Sequence, residues 1–237
     1  MKYQTSDQHQ IADIEYFTEC SGDAPISVYI IHGTDGDMLI DTGFRTTYQP
    51  LLQWIHRHHF TIKDIFITHA HPDHDWNAAQ FKRMFGARIW LSENDIPLIS
   101  HFGNQPQFPT EKRFAARTKW ISFWTKTPLF HSETYTPDVV ITGDDPEIGK
   151  RYGYDVAVVT LPGHTLGSVG ILRDNVLYAG DAYTVMNGVP MLPPHAASVE
   201  KMLASYQKIA GIAPEYLACG HGLPFQFNHT YQNKENG

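Results

Sequence analysis

Seven consecutive positions, His69 to Asp75 within "THAHPDHDWN", hold three histidines and two aspartates. Packing alone does not call for so many titratable side chains in so short a run. His69 and His71 lie two apart, directly after the apolar strand "DIFITH", so on extended backbone they project to the same side. Asp73 and His74 follow where the chain turns into a helix, and a turned backbone can aim them at a second point. Two ligand groups this close in sequence suit two metal ions. Imidazole nitrogen and carboxylate oxygen are ligands for zinc, and also for iron or manganese; the run has no cysteine, which removes the softest donor.

Three later strand ends repeat the arrangement. "VVTLPGH" delivers His164, "VLYAGD" delivers Asp181 and "YLACGH" delivers His221, each preceded by glycine at Gly163, Gly180 and Gly220. Glycine lets the backbone turn sharply or pass close to a metal centre. Any one of the three alone is an ordinary loop residue; together with the dense run they describe a site.

The elements that must position these residues can be read from periodicity. "IADIEYF", "SVYIIHG" and "DGDMLIDTG" read as hairpin strands, and "TTYQPLLQWIHRHH" has Leu51, Leu52, Trp54 and Ile55 at helical spacing. "WNAAQFKRMFG" reads as a helix closing on Gly86, followed by the strand "ARIWL". Residues from about 94 to 137 break this rhythm with "HFGNQPQFPT" and an aromatic helix, "EKRFAARTKWISFW", and read as an insertion. Strands resume with "PDVVIT", "DVAVVTLPGH", "SVGILRD" and "NVLYAGD", then the helix "SVEKMLASYQKIAG" and a last strand, "EYLACGH". Hairpins and helices in both halves predict an α/β (α+β) build of two sheets face to face with helices outside.

Composition narrows the function. The chain has 237 residues, 42% hydrophobic and 18% charged, with a formal charge of -7 and a pI near 6.0. There is no Lys/Arg-rich run to attract a phosphate backbone, so no nucleic-acid partner is expected. No apolar stretch approaches the roughly 18 residues of a membrane span, and the polar leader "MKYQTSDQHQ" has no signal-peptide core, so no membrane association is expected. Two cysteines, Cys20 and Cys219, suggest no disulfide framework and fit a cytoplasmic setting.

The motif set as a whole resembles the metallo-β-lactamase superfamily. "THAHPDH" is similar to its H-x-H-x-D-H motif, "PGHT" to the third motif, "AGD" to the fourth, "GHG" to the last and "LIDTG" to the early Asp motif; the resemblance spans about residues 26 to 225. It implies a four-layer αββα sandwich, a single domain over 1–237, with metals in a groove at one edge of the two sheets and the helical insertion at about 94–137 covering that groove. It implies His69, His71 and His164 as ligands of a first metal, Asp73, His74 and His221 as ligands of a second, and Asp181 as the bridge. Asp41 of "LIDTG" resembles the aspartate that supports the site from behind, with a plain turn carboxylate before Gly43 as the alternative.

Two divalent ions, zinc first with iron or manganese as alternatives, would make the chain a dinuclear hydrolase using a metal-bridging hydroxide on a small-molecule substrate. Asp73 could orient that nucleophile or take its proton. Tyr183 is a candidate catalytic hydrogen-bond donor, resembling the site tyrosine of some lactonases, or else a packing residue.

Within the superfamily, exported β-lactamases fit poorly with Asp181 and the missing signal segment. Glyoxalase II enzymes use a C-terminal region for glutathione where 16 residues follow His221 here. RNA-processing members carry basic surface, and flavodiiron members have Glu where His71 stands. A small ester, lactone or thioester remains. The alternatives are a mononuclear iron persulfide dioxygenase or a phosphodiesterase.

Phe102, Phe108, Phe114, Trp120, Phe123 and Trp124 of the insertion could line the groove or merely pack their helix, and the segment could be a substrate lid or the contact of a homodimer. Asp75 could brace a ligand histidine or serve the helix dipole. Trp76 would narrow the groove if it pointed inward. His195 could touch substrate, "HRHH" at 56 to 59 reads as a solvated helix end, and Cys219 as a small buried side chain.

Overall fold

Apolar side chains fall on both faces of the central strands, and that decides a layered build. In the computed structural model, which describes residues 2–20 and 22–228, the first seven strands in chain order are β1 (Lys2–Thr5), β2 (Glu15–Cys20), β3 (Ile26–His32), β4 (Asp37–Ile40), β5 (Ile62–Phe66), β6 (Arg88–Ser92) and β7 (Phe108–Pro109). They are followed by β8 (Val139–Ile141), β9 (Ala157–Thr160), β10 (Val169–Arg173), β11 (Val176–Gly180), β12 (Thr184–Met186), β13 (Val189–Met191), β14 (His195–Ala196), β15 (Tyr216–Cys219) and β16 (Phe225–Gln226).

One sheet runs β1-β2-β3-β4-β5-β6-β8, antiparallel as far as β4 and parallel from there; the other runs β16-β15-β11-β10-β9. Parallel neighbours need crossovers, and helices α1 (Tyr48–Arg57), the short α2 (Pro72–Asp75), α3 (Ala78–Phe85) and, between β11 and β15, α5 (Val199–Ile212) lie on them.

The period-2 alternation sorts the core into three layers. From β3, Tyr29 and Ile31 join Phe66 and Trp90 against Val158, Ile171 and Tyr178 of the second sheet. Val28 and Ile30 point the other way, onto Leu51, Trp54, Ile55 and Phe81 of the α1–α3 side. Leu177, Ala179 and Leu217 leave the far face of the second sheet for Met202, Tyr206 and Ile209 of α5. Helix, sheet, sheet and helix thus form the four layers expected from the sequence.

The differences are local. The leader forms an edge strand on β2, and residues 184–191 form the hairpin β12–β13, neither of which the periodicity predicts. The helix expected over 76–86 starts at Ala78, after the separate turn α2, and closes on Gly86 at φ 65° as expected. The aromatic helix of the insertion, α4, is Ala115–Trp124, shorter than the pattern suggested. Among the described residues no helix is long and apolar enough to cross a membrane. Positions 1, 21 and 229–237 of the expected 1–237 domain lie outside the described residues.

Candidate metal centre

The turn after β5 carries His69 and His71, α2 carries Asp73 and His74, and the ends of β9, β11 and β15 carry His164, Asp181 and His221. All seven meet at one edge of the two sheets, in three overlapping groups: His69, His71 and His164; His69, His74 and Asp181; and Asp73, His74 and His221. In the first group His71 Nδ1 lies 3.1 Å from His69 Nε2 and 3.0 Å from His164 Nε2. In the last, His221 Nε2 is 3.4 Å from Asp73 Oδ2, and His74 Nε2 is 3.9 Å from Asp73 Oδ1. Asp181 touches both groups: its Oδ2 is 3.5 Å from His164 and 3.2 Å from His221, and its Oδ1 is 3.6 Å from His74. A Cβ on Gly220 would come 2.4 Å from His74 Cε1 and 2.5 Å from Asp181 Oδ1, so only glycine admits this closeness.

The donor set fits cations. His74 Nε2 and Asp181 Oδ1 are buried with no hydrogen-bond partner among the described residues, a costly state for polar atoms that a bound ion removes. Burial, with help from neighbouring histidines, keeps His69 and His71 well below the ordinary imidazole range, and burial lowers His164 too, so their nitrogens keep lone pairs for a metal. The other cluster behaves differently. Burial opposes charge on His74, but Asp181, Asp41 and Asp73 outweigh it and raise the ring to about 9. Burial also opposes charge on His221, where Asp181 and Asp73 win in the same way. Asp73 and Asp181 are held well below the usual carboxylate range by those histidines, again against burial. Without a cation, protons on His74 and His221 balance the carboxylates; a divalent ion would displace them.

Asp41 braces the arrangement. Thr68 donates to it through both its N–H and Oγ1, each at 2.8 Å, and His74 Nδ1 donates to its Oδ2 at 2.8 Å. His69 Nδ1 in turn meets Thr68 Oγ1 at 3.0 Å. One carboxylate therefore orients a histidine of each group, directly or through a hydroxyl.

The sequence profile of the Metallo-beta-lactamase superfamily matches residues 21–221. The chain belongs to that superfamily. It is 28% identical over 215 residues to the uncharacterised protein YobT of Bacillus subtilis (strain 168), covering 84% of this chain and 83% of that one. To the hydroxyacylglutathione hydrolase of Nitrosomonas eutropha it is 24% identical over 196 residues, covering 82% of this chain but only 60% of that enzyme's length. Among solved structures, BJP-1, a subclass B3 metallo-beta-lactamase of Bradyrhizobium japonicum, matches with a TM-score of 0.61 at 22% identity, over 89% of this chain and 75% of the other. The chain is thus a hydrolase of the metallo-beta-lactamase superfamily, which uses divalent metals, with residues that could hold them.

Beside this edge of the two sheets lies a cavity of about 350 Å³. His71, Asp73, His164, Asp181 and His221 line it. The rest of the wall includes Phe102, Trp120, Ile121, Trp124 and Phe130 of the 94–137 segment, with Phe44 and Met186. Phe108, Phe114 and Phe123 are not in the wall, and Trp76 packs behind Phe44 at 4.8 Å rather than narrowing the space. Arg117 of α4 makes a two-pronged ion pair with Asp23, fastening the helix over the opening. His195 also lines the cavity, with burial and then His164 lowering its ring to about 3.

Tyr183 is not brought to the cavity. It precedes β12, whose alternation turns Thr184 and Met186 inward, while the Tyr183 ring packs with Tyr206, Phe225 and Phe227 on the α5 side. Asp75 is buried and accepts from Tyr135 at 3.0 Å, with burial raising it to about 7; it is not an exposed dipole carboxylate. "HRHH" ends α1, with His58 against Asp7, and Cys219 is buried under α5. One further residue is not foreseen from the sequence. Asp95 is fully buried and accepts from Ala70 N–H, Thr165 Oγ1 and Gly167 N–H at 2.8 to 2.9 Å, joining the loops that carry His69, His71 and His164. Its only signal in the sequence is an aspartate inside an otherwise unremarkable turn after β6.

Proposed function

We propose that the chain is a dinuclear metal-dependent hydrolase of a small, mainly apolar ester, lactone or thioester. The carrying observation is a pair of donor groups, one buried and one partly exposed, joined by Asp181, that open directly onto an aromatic-walled cavity. His69, His71 and His164 would hold one ion and Asp73, His74 and His221 the other, with Asp181 shared. The second group, complete with its own carboxylate and two imidazoles, favours two ions over the single iron of a dioxygenase. Nitrogen and oxygen donors without cysteine favour zinc, with iron or manganese as the other choices. Bound there, such ions supply a hydroxide at neutral pH and a Lewis acid for a carbonyl oxygen.

The chain's own residues do the rest. Asp73, ionised and on the cavity side, orients a water molecule and takes its proton. Trp120, Trp124 and Phe102 seat an apolar acyl or ring and exclude bulk water, so the 94–137 segment acts as a lid. Kinship with hydroxyacylglutathione hydrolases makes a thioester a natural member of the test panel, but Arg117, the one lysine or arginine in the wall among the described residues, is already paired with Asp23, which disfavours the carboxylates of glutathione. A cytoplasmic location belongs to the same proposal, on the strength of a chain with two cysteines.

The test is elemental analysis of protein purified without added metal, together with turnover of lactone, thioester, aryl ester and phosphodiester substrates. About two divalent ions and hydrolysis of a carboxylic ester, lactone or thioester support the reading. About one iron, no hydrolysis and oxygen uptake with a persulfide would replace it with the dioxygenase.

A further inference from the structure

Each histidine of the centre turns one ring nitrogen to the cluster and gives the other to the surrounding protein. For four of them the inner nitrogen is Nε2. Their outer Nδ1 atoms meet Thr68 Oγ1 at 3.0 Å (His69), Asp41 Oδ2 at 2.8 Å (His74), the His195 carbonyl at 3.0 Å (His164) and the Ala24 carbonyl at 3.2 Å (His221). All four outer partners are oxygen atoms able to accept. Each Nδ1 therefore carries the ring proton and leaves Nε2 a lone pair.

His71 is turned the other way. Its Nδ1 faces the cluster, 3.1 Å from His69 Nε2 and 3.0 Å from His164 Nε2, and its Nε2 lies 2.7 Å from the side-chain amide of Gln105. A ligating Nδ1 must be free of its proton, so the proton sits on Nε2, and what faces it at hydrogen-bond distance must accept. The amide nitrogen of Gln105 cannot. Its Oε1 can, and that oxygen is buried with no partner among the described residues when the nitrogen faces His71. A half-turn of the amide exchanges the two atoms and gives the His71 Nε2–H an acceptor and Oε1 a donor.

We propose that Gln105 is a positioning residue of the metal centre, its Oε1 accepting the Nε2–H of His71 and so fixing the ring with Nδ1 toward the cation shared with His69 and His164. This rests on the reading of the cluster as a metal site. It also gives the 94–137 segment a second role, because Gln105 follows the turn Phe102–Asn104, and Phe102 packs 4.8 Å from the His71 ring. The segment that walls the cavity thereby also holds a ligand.

The test measures metal affinity rather than activity. Chelator-stripped wild type, Gln105→Leu and Gln105→Glu are titrated with Zn²⁺ in competition with a chromogenic chelator. Gln105→Leu is expected to bind one of the two ions about 10- to 100-fold more weakly, and Gln105→Glu, which keeps an acceptor, to bind both at least as tightly as wild type. Unchanged binding by Gln105→Leu, or equal losses in both variants, overturns the inference while leaving the metal site standing. Wild type that binds no Zn²⁺ overturns the metal-site reading itself. Should Gln105→Leu not fold, ¹⁵N NMR of the imidazoles in Zn²⁺-loaded wild type decides. A His71 ring protonated at Nε2 supports the assignment, and one protonated at Nδ1 overturns it.

Discussion

Asp41 holds a backbone conformation that side chains rarely adopt, with φ 60°, while bracing one histidine directly and another through Thr68. Strain of this kind persists where the surroundings over-determine it, and here the hydrogen bonds to Thr68 and His74 do so. Single side chains at this edge should therefore separate chemistry from folding. His71→Ala removes one donor of a group whose other members stay in place, and is expected to abolish turnover while circular dichroism stays that of the folded chain and the unfolding midpoint of the metal-free variant stays close to that of metal-free wild type. Full activity in that variant would sink the mechanism. Tyr183→Phe is the opposite case. Because the ring sits among Tyr206, Phe225 and Phe227, kcat is expected to stay within about threefold of wild type, whereas a tyrosine assisting proton transfer would cost about 100-fold or more. Steady-state kinetics decides between the two.

At the scale of elements, the strand ends were legible and the connections between them were not. The clustering of these side chains could be anticipated after β9, β11 and β15 because apolar runs ending in Gly-His or Gly-Asp are local patterns, and after β5 because the His/Asp run is itself local. The layers were legible because alternation on β3 and β11 is local too. Asp95, Gln105 and the clasp of Arg117 on Asp23 were invisible, since each depends on a partner 25 to 94 residues away. Asp95 gives this long-range wiring a measurable signature. Burial raises its carboxyl to about 6, against the hydrogen bonds from Ala70, Thr165 and Gly167, so the folded state binds its proton more tightly than the unfolded chain does. The stability that proton contributes is complete below about pH 4 and is lost as the pH rises through about 6. Relative to Asp95→Asn, which cannot ionise, metal-free wild type should lose roughly 3 kcal/mol between pH 4 and 7 in urea unfolding. A difference that does not change with pH would show that Asp95 is not held as the structure has it.

For the whole molecule, the candidate centre lies where the two sheets share an edge, and its candidate ligands come from both. His69, His71, Asp73 and His74 follow β5 of the first sheet, whereas His164, Asp181 and His221 follow β9, β11 and β15 of the second. An ion held by His69, His71 and His164, or one contacting both His74 and Asp181, ties the halves together, and the unfolded chain offers no preformed equivalent. Binding free energy at such a site becomes folding free energy. At a free ion concentration about 1,000 times the dissociation constant, one site adds about 4 kcal/mol. For a chain of this length that raises the melting temperature by roughly 10 °C. Stripping the ions with a chelator should therefore lower Tm by at least that amount, and adding back Zn²⁺ should restore it. His221→Ala, which removes a second-sheet ligand, should retain only part of the metal-dependent increment. A chelated protein that melts with the loaded one would mean that the ions, if bound, do not join the sheets, and the shared edge would be only a place where ligands happen to meet.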